Sequence, residues 1–215
     1  MSNSSSKTPL ILTVDDEEDI ISLVKEMLEL NNRYRAISAK SAAEALEVLE
    51  KHKDEKPDLI LLDIMMEPID GWKTLQMIKE REEFKDIPVI MLTAKPLTAE
   101  TVKNKQRAES IEGYIVKPIR YHELTSKIDE VLNQEEKIRR KVEEFLSKGK
   151  EKEAKEYERY AKAIERHKKL MQTLLTCAKL AGIAETDRVK NVVKMQQNLI
   201  KISEERLKRL EKYLS

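Results

Sequence analysis

Up to residue 120 the chain alternates short apolar runs with longer amphipathic stretches. The runs are Leu10–Val14, Tyr34–Ser38, Leu59–Leu62, Val89–Leu92 and Tyr114–Val116, with Pro57 and Pro88 just ahead of the third and fourth. Runs of this length between turn signals predict buried strands. Between them, Ile20, Ile21, Val24, Met27 and Leu28 recur at helical spacing, as do Ala45, Leu46 and Leu49, and then Leu75, Met77 and Ile78. Ser41 followed three residues later by Glu44 predicts a capping box. Gly71 opens the next helix, another is expected over about Thr98–Arg107, and a last one begins near Tyr121. Five strands alternating with helices predict an α/β domain, a doubly wound five-stranded parallel sheet with right-handed crossovers.

After Leu132 the strand signal stops. Ile128, Val131, Ile138, Val142 and Phe145 carry the last helix past the domain edge, and "SKGK" at 147–150 marks a break. Ala154, Tyr157, Ala161, Ile164, Met171, Leu175 and Ala178 keep three-four spacing until Gly182. A further helix places Val193, Ile200, Leu207 and Leu214 seven residues apart, beside Val192 and Leu199. This predicts an all-α helical hairpin or coiled-coil module over 134–215, following an α/β domain over 8–133. Gln196 and Ser203 in the seam favour a bundle over a strict two-stranded coil.

Composition sharpens the division. Of the 215 residues 38% are charged, which suits long solvated helices. Residues 1–133 carry 19 Lys/Arg against 26 Asp/Glu, a net −7, and residues 134–215 carry 22 against 14, a net +8. No apolar run approaches the roughly 20 residues of a membrane span. The polar start "MSNSSSKTP" lacks the apolar core of a signal peptide. The single cysteine, Cys177, excludes an internal disulfide. A cytoplasmic setting is expected.

Parallel sheets of this kind bind ligands outside the carboxyl ends of their strands. Asp15 and Asp16 follow the first strand, Asp63 the third, Thr93 the fourth and Lys117 the fifth. Three carboxylates at one edge repel one another unless a cation neutralises them, and hard oxygen ligands suit Mg²⁺. Lys117 adds a fixed positive charge, and the Thr93 hydroxyl can donate to an anion. The set suits formation of an aspartyl phosphate, with Asp63 attacking phosphorus while metal and lysine offset the developing charge. Singly, each residue has a plainer explanation, since acids after strands commonly cap helices.

The motifs "LTVDDEED", "LLDIMM", "MLTA", "YIVKP" and the turn "DGW" together resemble the receiver domain of two-component response regulators, the flavodoxin-like fold of the chemotaxis response regulator. The resemblance covers roughly 8–133. It implies that Asp63 takes phosphate from a sensor histidine kinase and that Asp16 and Asp63 ligate Mg²⁺. Asp15 would act mainly through water, and the Met65 carbonyl would complete the protein ligands. Thr93 and Tyr114 would move together on phosphorylation. The implied protein is a phosphoacceptor switch, not an enzyme beyond weak autophosphatase activity. Two features depart from the pattern: Glu67-Pro68 stands where the family often has Pro-Gly, and the stretch from Thr93 to Lys117 is about two residues longer than usual. Tyr114 also reads as an ordinary edge residue. Met65 puts an apolar side chain where a polar one would position a hydrolytic water, so slow autodephosphorylation is expected.

The helical part is less specific. Its basic excess permits nucleic-acid binding, yet no helix-turn-helix or zinc spacing is present. His167 in "AIERHKKLMQ" reads as a surface residue or as a phosphotransfer histidine on a bundle. Apolar stripes on all three helices predict a homodimer or docking of a partner helix.

Overall fold

The computed structural model describes residues 7–94, 111–180 and 184–214. The helix expected over 98–107 and the side chain of Cys177 lie outside the described residues. The strands are β1 (Leu10–Val14), β2 (Arg35–Ala39), β3 (Leu59–Asp63), β4 (Val89–Thr93) and β5 (Gly113–Val116). They form one parallel sheet in the order β2-β1-β3-β4-β5. Every residue of β1, β3 and β4 is buried, because helices cover both faces of these central strands. The edge strands β2 and β5 are mostly half-buried.

Helices α1 (Glu18–Glu29), α2 (Ala42–Lys51) and α3 (Gly71–Lys79) connect the first four strands. Ile21, Val24 and Leu28 bury one face of α1, and Ala42, Ala45, Leu46 and Leu49 one face of α2. Ser41 caps α2 by accepting from the Glu44 backbone N–H at 3.2 Å. The return bond differs from a standard capping box, because the Glu44 carboxylate accepts from the Lys40 N–H, one residue earlier. Asp70 caps α3, accepting from the Lys73 N–H at 2.7 Å.

Helix α4 (Tyr121–Ser147) starts against the sheet and runs on without interruption. Its first half is fastened by Asp129, which accepts from the Tyr34 hydroxyl at 2.6 Å and pairs with Arg33. Burial first, and then the Asp129 bond, push the Tyr34 hydroxyl pKa well up. Among the described residues, 7–94 and 111–130 belong to one compact unit and 131–214 to a second.

The second unit contains the end of α4, then α5 (Glu151–Leu180) and α6 (Asp187–Glu211). The break falls at Gly149, whose φ of +69° is the left-handed conformation that ends helices. Its N–H donates to the Leu146 carbonyl at 2.9 Å, and that of Lys150 to Phe145 at 3.0 Å. Helices α5 and α6 run antiparallel: early Ala154 packs with late Leu210 and Leu214, and later His167 meets earlier Gln196. Phe145 joins the first group and meets the Tyr157 ring at 5.5 Å between centroids. The expected seam is present, with polar Gln196 and Ser203 buried in it beside Ile200 and Leu210. No helix among the described residues is long and apolar enough to cross a membrane.

Candidate phosphoacceptor site

The strand order reverses between β1 and β3, so their carboxyl ends open a crevice that no connection crosses. Asp15 follows β1 and Asp63 closes β3. Both are buried, with Asp15 at 0% and Asp63 at 1% exposure. Asp16 stands exposed beside them. One carboxylate oxygen from each of the three lies within 4.8 Å of the others. Lys117, just beyond β5, reaches into the group: its Nζ is 2.9 Å from Asp15 Oδ2 and 3.1 Å from Asp63 Oδ1. Lys117 is fixed at this edge by its own N–H, which donates to the Thr93 carbonyl at 2.8 Å.

Asp15 Oδ2 and Asp63 Oδ1 are both buried and share the single ammonium of Lys117. One positive charge between two buried carboxylates leaves room for a further cationic partner. Desolvation by burial raises the Asp15 pKa, against the pull of Lys117 and of the Glu17 N–H, while Asp63 pushes the same way as burial. For Lys117, burial acts to lower the pKa, but Asp15 and Asp63 outweigh it and the ammonium is held protonated. The charge balance is two buried carboxylates and one exposed carboxylate against one lysine. A hard divalent ion matches that deficit and the all-oxygen donor set.

The loop after β3 is built around the same group. Asp63 Oδ2 accepts from the Met65 N–H at 2.9 Å, and Asp16 Oδ2 accepts from the Glu67 N–H at 3.2 Å. The Met65 side chain turns outward, 62% exposed. Thr93 ends β4 and is buried next to this edge. Tyr114 lies within β5, opposite Met91, and is half-buried. Thus Asp15, Asp16, Asp63 and Lys117 meet directly, Met65 contributes backbone, and Thr93 and Tyr114 stand on the two neighbouring strands.

Two contributors lie outside the set expected from sequence. Glu17 brings a further carboxylate to 3.5 Å from Lys117 Nζ; the acidic run "DDEED" was its only sequence signal. Gly71 is the other. Its N–H donates to the Ile64 carbonyl at 3.0 Å, and a Cβ placed there would lie 1.9 Å from the Asp63 carbonyl oxygen. Helix α3 therefore starts directly on the backbone of Asp63, a closeness only glycine permits.

The family model for the response regulator receiver domain matches residues 11–129. The sensor histidine kinase TmoS of Ectopseudomonas mendocina is 30% identical over 130 residues, 60% of this chain and 13% of the kinase. The alkaline phosphatase synthesis transcriptional regulatory protein PhoP of Bacillus subtilis is 33% identical over 126 residues, 59% of this chain and 49% of that protein. The chain therefore spans about half the length of that regulator and far less of the kinase. A CheY-like receiver domain protein from Methanospirillum hungatei JF-1 is 28% identical with a TM-score of 0.52, covering 61% of this chain and 98% of that one. The family match ends at residue 129, before most of the helical unit. On the strand order, the acidic group at the switch point and this match, the chain belongs to the response regulator receiver domain family.

Proposed function

We propose that this protein is a two-component response regulator in which Asp63 accepts a phosphoryl group from a sensor histidine kinase. The observation that carries the reading is Lys117 held between two buried carboxylates, Asp15 and Asp63, at the carboxyl edge of the sheet. A Mg²⁺ ion, held by Asp15, Asp16, Asp63 and the Met65 carbonyl, would supply charge neutralisation for the phosphoryl oxygens. Asp63 attacks phosphorus, and the bond to the donor nitrogen breaks as the bond to Asp63 forms. Lys117 leaves its carboxylate contacts to pair with a phosphoryl oxygen, and the Thr93 hydroxyl donates to another. Tyr114 then follows Thr93, so a charge placed at the sheet edge is read on the β4–β5 face. The protein acts as a switch, with no catalysis beyond weak loss of its own phosphate.

The helical unit supplies an output by protein interaction. Its α6 helix leaves Met195, Leu199 and Ile202 exposed at 53%, 38% and 56%, along the flank beside its buried seam. Apolar side chains repeated on one outward face fit a second copy or a partner helix. A second reading has the basic helical residues bind DNA, and the likeness to PhoP, a transcriptional regulatory protein, favours it. Light scattering with and without beryllofluoride and Mg²⁺ tests the first reading: a change in molar mass is expected. An unchanged mass together with a salt-sensitive shift of duplex DNA would move the output to the second.

The outward Met65 carries a kinetic expectation. Met65→Asn should shorten the lifetime of the aspartyl phosphate severalfold, because an amide there can orient the attacking water. A chase of labelled protein measures it, and a longer lifetime in the variant would contradict the assignment.

A further inference from the structure

The seam between α5 and α6 holds one side-chain hydrogen bond with consequences for chemistry. Gln196 is only 3% exposed, and its Oε1 lies 2.7 Å from Nδ1 of His167. An amide oxygen can only accept, so Nδ1 carries the proton and donates. In a neutral imidazole this fixes the lone pair on Nε2, the nucleophilic nitrogen. His167 itself is half-buried, between the buried Ile164 and Leu170 of the same helix. Arg166 and Lys168 beside it are exposed, and Lys169 follows. Lys168 pairs with Glu165 at 3.3 Å, and the local charge remains positive. Two apolar side chains would fill this layer without the cost of burying an amide. The pair present instead fixes the orientation of one imidazole, on a stretch of helix whose net charge is positive.

We propose that His167 Nε2 is a second phosphoryl acceptor, exchanging phosphate with the aspartyl phosphate of a receiver domain. The Nε2 lone pair attacks phosphorus, and the phosphorus–nitrogen bond forms as the bond to the carboxylate oxygen breaks. The electron pair leaves with the carboxylate. Nδ1 keeps its proton on Gln196 throughout, so no proton moves. Arg166, Lys168 and Lys169 offset the added charge. Gln196 is a positioning residue, acting through the tautomer it imposes.

The test uses the full chain with Asp63→Asn, exposed separately to labelled phosphoramidate and to His167→Gln protein already labelled on Asp63. Both donors are expected to leave acid-labile, alkali-stable label on the D63N chain, and none on the D63N/H167Q chain. Gln196→Leu should slow labelling about fivefold, the worth of one hydrogen bond, with helix content by circular dichroism unchanged. Absence of alkali-stable label from phosphoramidate, or label that survives H167Q, overturns the proposal. Labelling by phosphoramidate but not by the loaded chain overturns the aspartyl phosphate as donor. If the H167Q chain takes no label on Asp63, the Asp63 reading fails instead, and the phosphoramidate arm still decides His167.

Discussion

Replacing Asp63 by Asn is expected to abolish hydroxylamine-sensitive phosphorylation by acetyl phosphate. The residue is the only carboxylate of the group that both ends a central strand and touches Lys117 from a buried position on β3. Asparagine keeps the shape and can still accept from the Met65 N–H through its amide oxygen, so the loop after β3 should hold. What it lacks is nucleophilicity: an amide oxygen does not form the acyl phosphate. The loss should be at least about a hundredfold, the scale on which single catalytic groups act. Labelling read by hydroxylamine release, beside circular dichroism to check the fold, measures it. Retained label at another carboxylate would show that Asp63 is not the acceptor.

Gly71→Ala should cost about 3 kcal/mol in stability, at the upper end of what overpacking does. Two effects oppose each other here. Alanine favours a helix over glycine by up to about 1 kcal/mol. Against that, the added Cβ would lie 1.9 Å from the Asp63 carbonyl oxygen and 2.9 Å from both Asp63 C and Ile64 Cα. These are backbone atoms of a buried strand end, which cannot rotate aside, so the clash should win. Urea unfolding measures the sign directly, and a neutral or stabilised variant would refute the contact. Phosphorylation should fall too, because relief requires the Asp63 backbone to shift while Lys117 and Asp15 stay in place.

The helical unit shows where patterning succeeded and where it fell short. The heptad spacing predicts a seam through Val193, Ile200, Leu207 and Leu214, with Gln196 and Ser203 in it; Ile200, Leu214, Gln196 and Ser203 are buried, Val193 and Leu207 half-buried, and Leu210 joins them. The same spacing assigned Leu199 to the apolar set without telling which face it served, and it proves 38% exposed. A stripe marks apolar positions along a helix but not which neighbour covers them, since coverage depends on the partner helix. His167 was likewise ambiguous, because its contact with Gln196 joins residues 29 apart in sequence.

Alone, the sequence determined the kind and order of elements in the receiver part and the residues that follow each strand. Continuous apolar runs and the 3.6-residue period of amphipathic helices are local features of the chain, and a parallel sheet forces strand ends to share an edge. Tertiary structure alone decided which oxygens meet Lys117, that Glu17 joins them, and that Gly71 rests on the Asp63 backbone. The contacts to Lys117 span tens of residues, and even the eight-residue contact of Gly71 depends on how the loop after β3 packs, a precision set by the whole domain, which no local pattern encodes.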